Sequence, residues 1–354
     1  MRFASLSEGT QLLAEIREQP RAIHSLLEHT EEYERIGAEL RARGATTVRM
    51  VGHGSSDNAA SYGVYAFGLL PRWTALRDSI TLGVYYESDL DLSGAAVLGL
   101  SQSGRTPDVI AYIERARARG AFTIAVTNDP RSELAHTAEV VLPLAAGPEQ
   151  AVAATKTYLN QLAALALLAA AAAGTAGQMA ADLRAVAELV DALIPDVETR
   201  VGRVANAFAY VGRMFVIGRG VEYATAREIA LKLQETCRIA AVSLTATDFA
   251  HGPVAALDPL FPVWAIASHD KALPAVLEAA ARARAAGATL LASGTAAEEV
   301  VGADYVLPVP QPPTPLLAPL LSIVPGQLVA WAVAQAKGLD PDYPAGLSKV
   351  TLAT

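Results

Sequence analysis

The chain has 354 residues, which is enough for two domains of ordinary size with sizeable cores. Its formal net charge of -8 argues against broad binding to nucleic acids or membrane surfaces. The single cysteine, Cys237, excludes an internal disulfide and a zinc site made of thiolates. We therefore expect a protein of a reducing, cytoplasmic compartment, in which an anionic ligand needs a local site.

The N-terminal part of the chain predicts helices followed by a first strand and turn. Residues 1–34 are expected to form helices that pack on the outside of the protein. Thr46 to Val51 predicts a β-strand, which is followed by Gly52-His53-Gly54-Ser55-Ser56 and an apolar helix from Ala59 to about Leu70. A Gly-x-Gly turn is a weak indication by itself, because many α/β proteins have one without a ligand.

A second strand, from Ala95 to Leu100, leads into the hydroxyl-rich loop Ser101-Gln102-Ser103-Gly104-Arg105-Thr106. Thr106 and Pro107 are predicted to be the N-cap and the first residue of a helix. The first N–H groups of a helix lack partners, so hydroxyls beside them can hold a phosphate without Lys or Arg. An ordinary strand-to-helix turn is the alternative, but two hydroxyl-rich turns in one sheet favour an anion site.

The sequence signals for membrane spans, metals and organic cofactors are weak. The Ala/Leu-rich stretch from Leu162 to Ala173 is shorter than the roughly 20 residues that span a membrane, and predicts a buried helix. The histidines show no metal-ligand spacing, and Gly52-x-Gly54 lacks the third glycine of a dinucleotide fingerprint. We therefore expect no membrane span, no metal and no organic cofactor.

The chain is predicted to be an internal duplication. Four pairs of segments match in order at an offset of about 166 residues, and they begin at Gly52 and Gly218, Ser101 and Ser268, Leu142 and Leu307, and Gln161 and Gln327. Alternating strands and helices favour an α/β class with parallel sheets. We expect two tandem doubly wound subdomains with flavodoxin-like parallel sheets flanked by helices, over 35–175 and 201–340. A helical connector over 176–200 and a C-terminal tail over 341–354 complete the predicted organisation.

The two copies differ in their chemistry. The second has Ser268-His269-Asp270-Lys271 where the first has its hydroxyl-rich loop, so only the first copy is expected to bind phosphate. A helix from about Glu222 to Cys237 places Lys232 and Glu235 on one face, and His251 follows ahead of a Gly-Pro pair. A solvated surface ion pair and a turn-capping histidine are the alternatives. The position after a Gly-x-Gly turn, where open α/β sheets bind ligands, favours a functional role.

Six ordered motifs make the chain resemble the sugar-isomerase (SIS) domain family from about Glu15 to Thr351. They are Gly54-Ser55-Ser56, Ser101 to Thr106, Glu149 to Lys156, Ala230 to Glu235, His251-Gly252-Pro253 and Leu347 to Thr351. The likeness is strongest to the isomerase half of glucosamine-6-phosphate synthase and to the free-standing glucosamine-6-phosphate deaminases built on that half.

The resemblance implies a role for each matching residue. The phosphate is expected to be held by Ser55, Ser56, Ser101, Gln102, Ser103 and Thr106. The sugar is expected to be contacted by Gly54, Glu149, Val152, Ala154, Lys156 and Ser348. Glu235 would carry a proton between C1 and C2 of the open-chain sugar, with Lys232 beside it.

The resemblance also implies that His251 comes from the neighbouring subunit of a homodimer and helps to open the sugar ring, which suits a group that titrates near neutral pH. Lys349, in the tail that closes the active site, would form a Schiff base with the ketose. The alternatives are a frayed terminal charge for Lys349 and a surface lysine for Lys156. Ala154 stands where synthases commonly have serine, and Arg105 replaces a residue that is often acidic.

The chain also departs from the synthase at its start, because it begins Met1-Arg2-Phe3 without the nucleophilic cysteine of a glutaminase domain. The expected activity is therefore a glutamine-independent conversion of glucosamine 6-phosphate to fructose 6-phosphate and ammonia. One alternative is a deaminase or deglycase for galactosamine 6-phosphate or a fructosamine 6-phosphate adduct. Another is a non-catalytic sugar-phosphate sensor. The sensor is disfavoured because such regulators usually carry a helix-turn-helix domain, for which residues 1–34 are too short and not basic enough.

Overall fold

The computed structural model describes residues 10–349, which fall into two compact units. The first-repeat unit consists of Arg21–Glu149 and Lys156–Arg184 with residues 348–349. The second-repeat unit consists of residues 10–20, Gln150–Thr155 and Ala185–Leu347. The predicted helical positions before residue 10 and the motif residues Val350 and Thr351 lie outside the described residues.

Strands and helices alternate along both halves of the chain. The strands are β1 (Thr47–Val51), β2 (Thr74–Arg77), β3 (Ala95–Leu100), β4 (Phe122–Thr127), β5 (Val140–Pro143), β6 (Arg213–Gly218), β7 (Ala240–Thr245), β8 (Pro262–Ile266), β9 (Thr289–Gly294) and β10 (Tyr305–Pro308). The helices are α1 (Gln11–Arg17), α2 (Gln19–Leu27), α3 (Thr30–Ala42), α4 (Ser55–Leu69), α5 (Ile80–Val84), α6 (Pro107–Ala118), α7 (Glu133–Thr137), α8 (Lys156–Ala173), α9 (Ala176–Phe208), α10 (Glu222–Cys237), α11 (Ala246–Ala250), α12 (Leu273–Ala285) and α13 (Ala318–Ala336).

The first-repeat unit is built on a parallel sheet with the strand order β2-β1-β3-β4-β5. Every residue of β3 and β4 is buried, as expected for central strands that are covered by helices on both faces. Helices α3 and α4 pack against α8. The predicted apolar stretch from Leu162 lies within α8, which is almost wholly buried, so this helix is part of the core.

The second-repeat unit has a parallel sheet with the order β7-β6-β8-β9-β10, which is the same topology. Helix α10 packs against α13. The segment Pro315–Ala336, which includes α13, is long and apolar enough to cross a membrane, but its whole apolar window is buried. It is therefore accounted for as a core helix. The two sheets confirm the predicted α/β fold of two doubly wound copies.

The strand register corrects one detail of the predicted repeat. The N–H of Ser101 donates to the carbonyl of Val126, and the N–H of Ala267 donates to Ser293 at the same place in the second sheet. Ser101 therefore corresponds to Ala267 and not to Ser268, because the sequence match followed residue identity whereas hydrogen bonding defines the register.

Helix α9 extends beyond the 176–200 stretch expected for the connector, and Pro195 lies within it. The predicted domain limits stay a prediction.

Candidate functional site

Two turns of the first-repeat unit carry the residues that are predicted to bind the phosphate. They follow the adjacent strands β1 and β3, the point at which the strand order reverses and where ligands bind to open α/β sheets. Gly104 has a φ of 63°, and a Cβ built on it would lie 2.0 Å from the hydroxyl of Ser132. The tight conformation of this loop therefore requires glycine.

Hydroxyl groups and helix amides come together in the second of these turns. The Oγ of Ser101 lies 2.9 Å from Oγ1 of Thr106, and it also accepts from the N–H of Gly104 at 3.1 Å. Thr106 and Pro107 occupy the N-cap and first position of α6, as predicted, but the Thr106 side chain does not cap the helix. It is held by Ser101 instead, which orients the two hydroxyls together.

The other predicted phosphate ligands lie in the same two turns. Ser55 begins α4, and Ser56 is buried beside it, where its Oγ accepts from Nε2 of Gln161 at 2.8 Å. Ser103 Oγ accepts from the backbone N–H of Arg105, and the carbonyl of Gln102 accepts from the N–H of Asn128. Ser56 and Ser103 are thus held by contacts inside their own unit.

A histidine that sequence reasoning treated only as a spacer lies beside these turns. Nε2 of His53 is 2.7 Å from Oδ2 of Asp108, a largely buried carboxylate in the first turn of α6. The position of this histidine inside a Gly-x-Gly turn is the sequence feature that could have marked it as a candidate site residue. The exposed Arg105 side chain lies 3.8 Å from Asp129, so this carboxylate would compete with a bound anion for the arginine.

The predicted residues Glu149 and Lys349 are brought together in the first-repeat unit. The side chain of Glu149 is fully buried, and its Oε2 is 2.7 Å from the Nζ of Lys349. The same carboxylate accepts from the N–H and the hydroxyl of Thr157 at 3.1 and 2.7 Å. Lys349 is therefore docked and not a frayed terminal charge. Lys156, the first residue of α8, is buried, which contradicts the surface-lysine alternative.

The predicted acid and base of α10 form part of a larger cluster. The Nζ of Lys232 lies 2.5 Å from Oε2 of Glu235 and 3.3 Å from Oε1 of Glu228. Lys232 and Glu228 are buried, whereas the side chain of Glu235 is 22% exposed. A solvated surface pair is thereby excluded. Burial alone would lower the pKa of Lys232, but the two carboxylates outweigh it and raise the pKa above its ordinary value.

Glu228 was missed by sequence reasoning, although it lies four residues before Lys232 on the same face of α10. A cavity of about 540 Å³ lies beside Glu235 in the second-repeat unit. It is lined by residues of the last two turns of α10, by Arg238 directly after that helix, and by residues of the segment from Gly338 to Leu347. The carboxylate of Glu235 can therefore meet a small molecule on one side while Lys232 holds it on the other.

His251 follows the short helix α11 and is exposed. Among residues 10–349, no partner forms a hydrogen bond or an ion pair with its side chain. The structure of one chain thus leaves the imidazole accessible. The role expected for it in a partner's site stays a prediction.

The segment that carries Val152 and Ala154 belongs to the second-repeat unit, and hydrogen bonds hold its first three residues. The N–H of Val152 donates to the carbonyl of Asp342 at 3.0 Å. The buried carboxylate of Glu15 accepts from the N–H groups of residues 150 and 151. Sequence reasoning missed Glu15 and Asp342. A glutamate in the apolar stripe of α1 was the signal that could have found the first.

Two further predicted residues are positioned by the surrounding loops. Gly54 has a φ of 54° and precedes the first residue of α4. Ser348 is exposed and lies next to the docked Lys349. In the described part of the chain, no group of three or more His, Cys, Asp or Glu side chains could hold a metal ion.

The fold and these turns define a class: duplicated, doubly wound α/β proteins with a hydroxyl-rich loop after the third strand. Comparison with known families identifies the family. The SIS domain matches residues 43–171 and 208–336, and the chain belongs to that family.

Individual relatives agree with this assignment. The chain is 34% identical over 346 residues to the glutamine–fructose-6-phosphate aminotransferase (isomerizing) of Thermococcus kodakarensis. The match covers 96% of this chain and 57% of that protein, so the chain spans little more than half the length of this relative.

Solved structures are similar over nearly the whole chain. A protein from Silicibacter pomeroyi assigned as a phosphosugar isomerase has a TM-score of 0.85 and 33% identity, with 94% of this chain and 100% of that chain covered. Glucosamine-6-phosphate deaminase from Thermotoga maritima has a TM-score of 0.75 and 22% identity, with 97% and 100% covered. The second likeness concerns the fold alone.

Proposed function

We propose that the chain is an isomerising deaminase that converts glucosamine 6-phosphate to fructose 6-phosphate and ammonia without glutamine. The observation that carries the proposal is the cluster of Glu228, Lys232 and Glu235, in which a buried ammonium holds a carboxylate at the edge of a cavity. A sugar-phosphate sensor has no need of such an acid–base group. The family relationship and the likeness to an assigned phosphosugar isomerase support the same reaction class.

The chemistry begins with anchoring of the phosphate. Ser101, Thr106 and the first amides of α6 supply donors without a fixed positive charge. Ser55, Ser56, Gln102 and Ser103 complete the proposed phosphate ligands.

Proton transfer is assigned to Glu235. In the open-chain amino sugar, its carboxylate takes the proton from C2 and returns it to C1, while the amine loses a proton and O1 gains one; the aldehyde becomes an alcohol and the C2 amine becomes an imine. Water then adds to C2 and the C–N bond breaks, which gives the ketose and ammonia. Lys232 orients Glu235 throughout, and Glu228 balances the buried ammonium charge.

Lys349 has two proposed uses. As an ammonium, it binds Glu149 and keeps the tail in place. As a neutral amine, it could exchange with the imine to form a Schiff base, and this requires its proton to pass to a nearby base such as Glu149.

The rest of the assignment follows the family. We propose a cytoplasmic homodimer, needing no cofactor, in which His251 from one subunit assists ring opening in the other. Gly54, Val152, Ala154, Lys156 and Ser348 are proposed to line the sugar.

One test uses Glu235→Gln with the exposed Glu278→Gln as its control, because Glu278 only pairs with Arg282 on a helix surface. Ammonia and fructose 6-phosphate formation are measured with glucosamine 6-phosphate, galactosamine 6-phosphate and a fructosamine 6-phosphate adduct. The Glu235 variant should lose turnover and keep phosphate binding, whereas the control should keep both. Full activity in Glu235→Gln would contradict the proton-transfer role.

The cavity beside Glu235 favours the fructosamine 6-phosphate adduct as the second candidate substrate, because it offers room for a substituent on nitrogen.

A second test addresses the shared site. Chains with Glu235→Gln and chains with His251→Ala are each expected to be nearly inactive. If each site draws one residue from each subunit, a mixed dimer has one intact site of two and should show about half of the native activity. A randomly paired mixture, in which about half of the dimers are mixed, should show about a quarter. No recovery in proven mixed dimers would contradict the contribution from a partner.

A further inference from the structure

Glu222, the first residue of α10, is a buried carboxylate that the proposed mechanism does not use. Its Oε1 accepts from the hydroxyls of Ser268 at 2.5 Å and Ser322 at 2.7 Å. Its Oε2 accepts from the hydroxyl of Thr225 at 2.6 Å. Three hydroxyls, from the loop after β8, from α13 and from α10 itself, thus converge on one carboxylate.

The duplicated fold shows which position Glu222 occupies. A Cβ built on Gly52 would lie 2.9 Å from Cβ of Ser56, and one built on Gly218 would lie 2.5 Å from the carbonyl oxygen of Glu222. Each glycine lies at the end of its strand and packs closely against the residue four positions later in the chain. Glu222 is therefore the counterpart of Ser56, a residue that we propose as a phosphate ligand.

The donors around Glu222 are placed in the same way. Ser268 follows β8 as the hydroxyl-rich loop follows β3. Ser322 lies on α13, which occupies the place that α8 has in the first repeat, where Gln161 donates to Ser56. The second repeat therefore places hydroxyl donors around the equivalent point of the fold.

We infer that Glu222 is a built-in anion, which fills in the second repeat the site that a ligand phosphate fills in the first. This position of the fold suits a small oxyanion, either a carboxylate or a phosphate. In the second repeat the oxyanion is the side-chain carboxylate of Glu222 itself. The comparison with a bound phosphate rests on the proposed function, whereas the hydrogen bonds to Glu222 are independent of that function.

Two consequences follow from a covalently supplied anion. The half-buried Asp270 adds negative potential near Glu222, so the second repeat would repel an added phosphate. The chain should therefore bind one phosphate and not two. In addition, Glu222 ties the start of α10 to two other elements before any ligand arrives, and the same helix carries Lys232 and Glu235.

Burial raises the pKa of Glu222, whereas the hydroxyls of Ser268, Thr225 and Ser322 oppose that shift. An experiment must therefore separate a carboxylate from a neutral acid. Glu222→Ala removes the group and leaves its three donors in place. We expect the thermal midpoint to fall by about 5 °C or more, because buried donors lose their acceptor.

Formate at millimolar concentration should restore most of the lost stability of Glu222→Ala, and neutral formamide should not. Glu278→Ala, an exposed glutamate, serves as the matched control and should respond to neither compound. Absence of rescue, or equal rescue by formate and formamide, would overturn the inference. The readout is thermal unfolding, so it is independent of any catalytic activity.

A measurement on the unaltered protein covers the case in which Glu222→Ala does not fold. Calorimetric titration with inorganic phosphate should show at most one site per chain. Two sites, with the second abolished by Ser268→Ala, would overturn the inference. No binding at all would count against the proposed phosphate site of the first repeat and would leave the role of Glu222 standing.

Discussion

Replacement of Lys232 by methionine is the sharpest test of the charge cluster in α10. The change keeps most of the side-chain volume but leaves Glu228 fully buried without the ammonium that lies 3.3 Å away. Removal of one member of a buried ion pair typically costs about 3–5 kcal/mol, because the other charge is left desolvated. We expect a loss of this size in the free energy of unfolding near neutral pH, together with loss of turnover.

The pH dependence of this loss has a defined sign. The pKa of Lys232 is raised in the folded state, so its contribution is fully present below the ordinary lysine pKa and is lost as pH rises through the folded value. The difference in unfolding free energy between the variant and the native protein should therefore stay constant near neutral pH and shrink as pH rises above the ordinary lysine pKa of about 10.4.

Urea unfolding across this pH range measures the effect, provided that the transitions are reversible. Arg282→Met is the matched control, because its i,i+4 pair with Glu278 is at least as close, at 2.6 Å, as the pair of Lys232 with Glu228, but both of its side chains are half exposed or more. It should cost no more than about 0.5 kcal/mol. A Lys232→Met loss no larger than that of the control would refute the reasoning from burial.

Two other substitutions test the remaining parts of the site. Gly104→Ala should abolish phosphate binding and destabilise the protein by more than about 1 kcal/mol, because positive φ and a close contact combine there. Gly147→Ala, which has a φ of 69° and open space around it, should cost only the backbone strain and keep phosphate binding in calorimetric titration. Glu149→Gln should release Lys349 and raise KM with glucosamine 6-phosphate; an unchanged KM would show that the tail needs no ion pair.

Several features could be predicted from the sequence because they depend on local chemistry. Thr106 and Pro107 define a helix start through the preferences of the N-cap and the first helical turn, and α6 begins at Pro107. The i,i+3 spacing of Lys232 and Glu235 was enough to place them side by side. The repeat followed from four matched segments, and both sheets share one strand order.

Long-range contacts could not be predicted in this way. Glu149 and Lys349 are separated by almost the whole second copy, and nothing in either segment encodes their pairing. The carboxylate of Glu15 binds backbone N–H groups, which every residue has, so its partners leave no mark in the sequence. The Ser101 to Ser268 match failed for the same reason, because the register is decided by backbone hydrogen bonds.

Glu222 illustrates why a duplicated fold can divide its tasks between copies. The same glycine-lined position takes a neutral serine in the first repeat, which leaves amides and hydroxyls able to receive an external dianion. A carboxylate at this position repels such a ligand and uses the local hydroxyls itself. Once its own anion satisfies these donors, the helix beginning at Glu222 no longer depends on substrate for its placement. A helix fixed in that way suits an acid–base group better than a ligand-dependent one, because proton transfer requires the carboxylate to be in place before the sugar arrives.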